Sequence, residues 1–209
     1  MAVVFRDFVT VVEAPEVHPG LESIPAGGTE GAGGPTRRPR QVVDSLVPGK
    51  PIRFLIVSHH HSDHLGGIGG LAGFGTTVLA PAGDLTAVRL TLGAPPPGRA
   101  GTTARDGAVE GVARRRVITD GERVLEVWNV GRNPHTAENL FVWLPSERIA
   151  FQGDLFYYEV GGPFPPSGRG RMNRFFAGWP ARHRMEPKAV YGVHSNGAAG
   201  REALRRARS

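Results

Sequence analysis

The sequence predicts an α/β or α+β sandwich of layers, on three observations. Short runs rich in Val, Ile and Phe recur along the chain. The segments between them alternate between helical periodicity and tight polar turns. Of the 209 residues, 40% are hydrophobic and 21% charged, an ordinary balance for a globular chain with a core. Apolar runs bounded by turn residues read as strands, and strands separated by helices and hairpins build layered sheets. The length suits one domain over residues 1–209 with a loop insertion.

The elements follow in order. Residues 3–12, rich in Val and Phe, read as one buried strand ended by Pro15. Residues 18–40 are dominated by Gly, Pro, Thr and Arg, with too few apolar side chains to pack, and read as a flexible loop. Residues 41–46 suit a short helix stopped by Pro48-Gly49. Residues 51–58, PIRFLIVS, form a nearly continuous apolar run, as expected of a strand covered on both faces. A loop over 59–67 follows, then a strand at 76–80, a helix at 84–92 and a second Gly/Pro-rich loop at 93–111. Strands are expected at 116–119 and 123–130 around an Asp120-Gly121 turn, and at 139–144 and 148–151. Residues 161–171 read as loop, 189–193 as a last strand and 201–208 as a terminal helix.

Composition excludes several classes. No apolar run is long enough to span a bilayer, and the first residues carry Asp7 and Glu13 rather than a basic start and apolar core, so neither a membrane span nor a secretory signal is expected and the cytoplasm is the expected location. There is no cysteine, which excludes disulfides, thiol nucleophiles and thiolate ligands; any metal must be held by His and carboxylates. Net charge is +6, and all basic residues but Lys50 and Lys188 are arginine. The arginines are scattered and no nucleic-acid motif accompanies them, so the runs at 114–116 and 201–208 read as solvated faces rather than a polyanion surface.

Chemistry concentrates directly after the strand at 51–58, in His59-His60-His61-Ser62-Asp63-His64-Leu65-Gly66-Gly67. Alternate residues of an extended segment point the same way, so His59, His61 and Asp63 can share a face while His60 turns away. A tight turn then brings in His64, and Gly66-Gly67 allow a sharp bend. Imidazoles with a carboxylate suit Zn²⁺ or a similar divalent ion, and donors this close in sequence divide more readily between two adjacent ions than converge on one. Each ion then needs further ligands. His135, Asp154 and His194 each follow an expected strand, where strand ends on one side of a layered fold converge.

The set His59-x-His61-x-Asp63-His64, His135, Gly153-Asp154 and His194 resembles, in order and separation, the metallo-β-lactamase superfamily of metal-dependent hydrolases. The resemblance runs from about residue 9 to the C-terminus. It implies a four-layer αβ/βα sandwich and two divalent ions, Zn²⁺ first, with Fe and Mn²⁺ also suited to mixed His/Asp donors. His59, His61 and His135 would bind one ion, Asp63, His64 and His194 the other, with Asp154 bridging both beside a water or hydroxide. Asp63 would also orient that water or take its proton, as the catalytic group. The attack would fall on an ester, thioester, lactam, lactone or phosphodiester of a small-molecule substrate. A carboxylate at 154 and no cysteine at any ligand position look more like thioesterase, lactonase and phosphodiesterase relatives than thiolate-using β-lactamases. The chain begins almost at the strand 3–12, where family members carry further strands. The first sheet is therefore expected to be incomplete, with an open edge that favours pairing with a second copy.

Two other functions remain open: a catalytically silent metal-binding paralogue or interaction module, and a nuclease whose arginines hold phosphates. His18 and His183 are surface residues, Asp106 and Glu110 are solvated, and Ser195 lacks any base or oxyanion pattern. Tyr157, Tyr158, Phe164 and Trp179 serve either a pocket or the core.

Overall fold

The computed structural model describes residues 1–15, 39–93 and 108–209. Residues 18–38 of the expected loop, with His18, and most of that at 93–111, with Asp106, lie outside the described residues, while residues 39 and 40 are helical rather than loop. The chain divides into two compact units, Met1–Leu79 with Leu85–Glu110, and Ala80–Asp84 with Gly111–Ser209.

The expected strand at 3–12 is a hairpin. Strands β1 (Ala2–Val4) and β2 (Val9–Val12) pair antiparallel, with Ala2 opposite Val11. Phe5 and Phe8 stack at the turn with ring centres 4.5 Å apart, and the Met1 amino group donates to the Val12 carbonyl at 2.9 Å. The polar Arg6-Asp7 pair inside the Val/Phe run marks that turn. Helix α1 (Pro39–Leu46) and strand β3 (Ile52–Ile56) lie where the sequence puts them. The expected loop at 59–67 is mostly helical: α2 (Ser62–Leu65) is followed at once by α3 (Ile68–Leu71). Strand β4 (Thr77–Pro81), a 3₁₀ turn (Ala82–Asp84) and α4 (Leu85–Gly93) follow. Strand β5 (Ala108–Val112) replaces the end of the second expected loop. These strands form a five-stranded sheet in the order β1-β2-β3-β4-β5, with β2, β3 and β4 parallel. Parallel strands need cover on both faces, and Leu55, Ile56, Val78 and Leu79 are accordingly buried to 1% exposure or less.

The second sheet has six strands in the order β11-β10-β9-β8-β7-β6. Strands β6 (Arg115–Thr119), β7 (Val124–Asn129), β8 (Leu140–Leu144) and β9 (Ile149–Gln152) run as an antiparallel meander. The Asp120-Gly121 turn forms as expected: Asp120 Oδ1 accepts from the amides of Glu122 and Arg123, and Gly121 takes φ +93°. Strand β10 (Ala189–Gly192) joins β9 in parallel and β11 (Ala199–Gly200) antiparallel. Helix α5 (Gly170–Arg182) overturns the loop reading at its start, while α6 (Arg201–Arg208) occupies the expected terminal position. Their buried side chains, among them Phe176, Ala177, Trp179, Leu204 and Ala207, join Phe141, Trp143, Phe156 and Val190 in one apolar cluster. Among the described residues no helix is long and apolar enough to cross a membrane.

Candidate metal centre

The first unit presents its donors on the turn after β3. The Val57 amide bonds the Leu79 carbonyl, carrying the β3–β4 pairing one residue further, so Ser58 and His59 leave the sheet while still buried. Ser58 Oγ lies 2.9 Å from His59 Nδ1, which points His59 Nε2 toward His61 Nδ1, also at 2.9 Å. His61 is still extended, with φ −68° and ψ 147°, and its carbonyl accepts from the amides of His64 and Leu65 to start α2. Alternation therefore holds for His59 and His61 but ends there. Asp63 takes its place from a helical turn, with its side chain half-exposed and Oδ2 3.4 Å from His64 Nε2. His60 is exposed, as alternation requires, although its ring remains edge-on to its neighbours.

The opposite side of His64 was not legible in the sequence. Its Nδ1 lies 3.3 Å from Glu13 Oε2, on a side chain that leaves β2 with φ +70° and is 6% exposed. Glu13 Oε2 also accepts weakly from the Ser58 amide at 3.4 Å, while Oε1 is buried without a hydrogen-bond partner. At 3.3 Å this is an electrostatic approach rather than a short hydrogen bond, and a carboxylate beside one ring nitrogen favours the proton there and leaves the other nitrogen for a metal. The expected role of Gly66 and Gly67 is corrected too. Neither has positive φ, and Gly66 is helical. A Cβ on Gly67, however, would stand 2.2 Å from the Pro15 carbonyl oxygen, so glycine is needed for close approach rather than for a bend. The Gly67 amide bonds the Ala14 carbonyl and the Ala14 amide bonds the His64 carbonyl, tying the donor turn to the exit of β2.

The second unit presents three donors after three strands. His135 sits in a turn organised by Asn133, whose Oδ1 accepts from the amides of His135 and Thr136 at 2.9 Å each. Asp154 and His194 owe their proximity to register. Gln152 and Gly192 are opposed in the parallel β9–β10 pair, and each donor lies two residues beyond. Gln152, 1% exposed, folds back over the Asp154 loop: its Oε1 accepts from the amides of Leu155 and Phe156, and its Nε2 donates to the Phe156 carbonyl. Ser195 Oγ accepts from the Tyr158 amide at 3.1 Å. The Tyr157 ring lies parallel to the His194 imidazole with ring centres 6.2 Å apart, and the Arg169 guanidinium lies 4.1 Å from the Tyr157 ring centre. Fully buried Asn173 of α5 exchanges two hydrogen bonds with the Tyr157 backbone. Of the remaining aromatic side chains, Trp179 belongs to the core and Phe164 packs on Phe156 and Tyr158. His183 is exposed but stacks on Trp179 at 3.7 Å.

Asp154 carries the distinctive geometry. Its Oδ2 is 3.3 Å from His135 Nε2, and its Oδ1 is 3.3 Å from His194 Nε2. Charge-assisted hydrogen bonds settle nearer about 2.8 Å. Two ligands at about 2.05 Å from one tetrahedral ion stand roughly 3.3 Å apart. The spacing of both Asp154 pairs, and the 3.4 Å between Asp63 and His64, are those of neighbouring ligands. The donor set is all imidazole and carboxylate, which suits a borderline divalent ion, and a carboxylate with a different imidazole on each oxygen suits two ions better than one.

The sequence profile described as "Metallo-beta-lactamase superfamily" matches residues 31–196. Among solved structures, a metallo-β-lactamase from Pontibacter korlensis superposes with TM-score 0.65 at 19% identity, covering 99% of this chain and 83% of that one. FIM-1 from Pseudomonas aeruginosa, described in its mono-zinc form, gives TM-score 0.64 at 19% identity over 99% of this chain and 80% of its own. A metallo-β-lactamase from Hirschia baltica gives 0.57 at 17% identity, covering 99% and 82%. No curated protein matches the chain in sequence.

Proposed function

The chain belongs to the metallo-beta-lactamase superfamily, and from that premise we propose that it is a hydrolase working with two divalent metal ions, zinc before iron or manganese. The substrate class is a small molecule with an ester, thioester, lactam, lactone or phosphodiester bond. In this reading His59, His61 and His135 hold one ion, Asp63, His64 and His194 hold the other, and Asp154 serves both. Asp154 carries the reading: one buried carboxylate faces a separate imidazole from each oxygen at ligand-to-ligand distance. The donor chemistry of the remaining residues supports it.

Bound there, the ions supply a water acidic enough to be a nucleophile near neutral pH and positive charge for the developing oxyanion. The side chains do the rest. Glu13 stands beside His64 Nδ1 and favours the tautomer that leaves Nε2 for the site. The half-exposed Asp63 carboxylate reaches solvent and is placed to orient a water or accept its proton. Tyr157 lies parallel to the His194 ring beside the site.

Protein purified without chelator is expected to carry about two metal equivalents and to turn over at least one of an aryl ester, a lactone, nitrocefin and bis-p-nitrophenyl phosphate. His61→Ala is expected to abolish that turnover. Undiminished hydrolysis by this variant in metal-free buffer overturns the reading. Full metal occupancy without turnover on any substrate favours the silent metal-binding module instead.

A further inference from the structure

We propose that the groove between the end of α5 and helix α6 is a second binding site, for a phosphate-bearing ligand with an apolar body. It lies within one unit and shares no residue with the candidate metal centre. The groove encloses about 490 Å³, within the usual range for small-molecule sites. Its floor is apolar, built from Pro180, Met185 and Leu204 among others, and its rim carries Arg184, Arg201, Arg205 and Arg208.

Three features separate this rim from an ordinary solvated face. Arg201, Arg205 and Arg208 are spaced to share one face of α6, while Ala203, Leu204 and Ala207 bury the other. Basic residues in a helix's last turn complement its dipole, which accounts for Arg205 and Arg208 but not for Arg201 in the first turn. Arg184 sits in the left-handed region with φ +56°. There it closes α5: the Met185 amide bonds the Pro180 carbonyl and the Arg184 amide bonds the Ala181 carbonyl, a pattern whose left-handed position is normally glycine. An arginine kept at a strained position on the rim of a cavity points to use of its side chain. The one carboxylate lining the groove, Glu186, is engaged by Arg148, which bonds both its side chain and its backbone carbonyl. Among the described residues none of the four rim guanidinium groups has a carboxylate within ion-pair distance.

Several unneutralised guanidinium forks around one cavity match a phosphate, which carries about −1.5 to −2 charge and accepts bidentate bonds. A carboxylate would need one fork only. The apolar floor selects a phosphate attached to a hydrophobic group, whether a free organic phosphate or a lipid headgroup.

The test titrates intact, metal-loaded protein calorimetrically with phenylphosphonate and methylphosphonate. A parallel arm sediments it with phosphatidylcholine vesicles containing phosphatidic acid. Phenylphosphonate is expected to bind more tightly than methylphosphonate, and R184Q/R205Q to weaken it about tenfold or more. R206Q, on an arginine that bonds the Phe164 carbonyl instead, is expected to leave it unchanged. Binding confined to the vesicles, with the same sensitivity to R184Q/R205Q, assigns the phosphate to a lipid. Absence of binding in both arms overturns the proposal. So does equal weakening by R206Q, or an RNA duplex that outcompetes the phosphonates and responds alike to both variants. Metal content and hydrolysis of R184Q/R205Q are expected to match the parent, so failure here leaves the hydrolase reading intact.

Discussion

Glu13→Gln is expected to spare or slightly stabilise the metal-free protein while weakening metal binding. Glu13 is 6% exposed, its Oε2 is 3.3 Å from His64 Nδ1, and its Oε1 is buried without a partner. Without metal, the amide keeps the shape and removes a buried charge whose unsatisfied oxygen costs about 1–3 kcal/mol, a cost the His64 contact offsets in part. Melting of the metal-free protein is therefore expected to stay level or rise by about 2–4 °C, the shift for roughly 1 kcal/mol in a chain of this size. With metal, a neutral amide no longer raises the basicity of His64. Supports of this kind are worth about 10–100-fold in metal affinity, or roughly 1.4–2.7 kcal/mol. Competition against a zinc-chelating dye, beside calorimetry of the metal-free protein, reads both effects. Affinity within about twofold of the parent would refute the argument, since Glu13 would then not act through His64.

Three further outcomes follow from the packing. Gly192→Ala places a Cβ 2.3 Å from Gln152 Nε2 and 3.1 Å from the Phe156 carbonyl oxygen, and should lower stability by about 2–3 kcal/mol through the broken Gln152 bonds; parent-like melting would contradict the close approach. Asn173→Ala leaves the Tyr157 amide and carbonyl unsatisfied in the core, so the Tyr157 amide should lose its protection from hydrogen exchange, and retained protection would count against that role. Burial holds the Met1 ammonium below its ordinary value of 8.0, with the Glu13 charge partly opposing. The unfolded chain then binds the extra proton first, so this contribution is full above about pH 8 and is lost as pH falls toward the folded value. Urea midpoints across that window should fall with pH, and a rise would reverse the sign.

The donors were legible because their chemistry is local. Imidazoles and a carboxylate within His59–His64 announce a divalent ion whatever the tertiary fold, and His135, Asp154 and His194 each follow a readable strand. The positions that support them were not legible. Glu13 lies 45 residues before its Ser58 contact and Asn173 lies 16 after Tyr157, so only register and packing bring them in. The one signal for Glu13 was an acid ending a fully buried strand. Helix α5 escaped notice because Gly170, Gly178 and Pro180 depress its intrinsic propensity. It is held instead by Phe176, Ala177, Trp179 and Pro180, all buried, an override that propensity cannot show. The hairpin at the start was missed because its two strands share one apolar composition, interrupted only by Arg6-Asp7.

The contact at Gly67 has a bearing on how this protein can diverge. With Pro15 in the way of any side chain there, and Ala14 bonded to both His64 and Gly67, the histidine turn is welded to the chain just before residue 16. Insertions or deletions between Glu13 and Pro15, or between His64 and Gly67, would shift the donors themselves. Relatives that differ in length are therefore expected to keep both of these short spans unchanged.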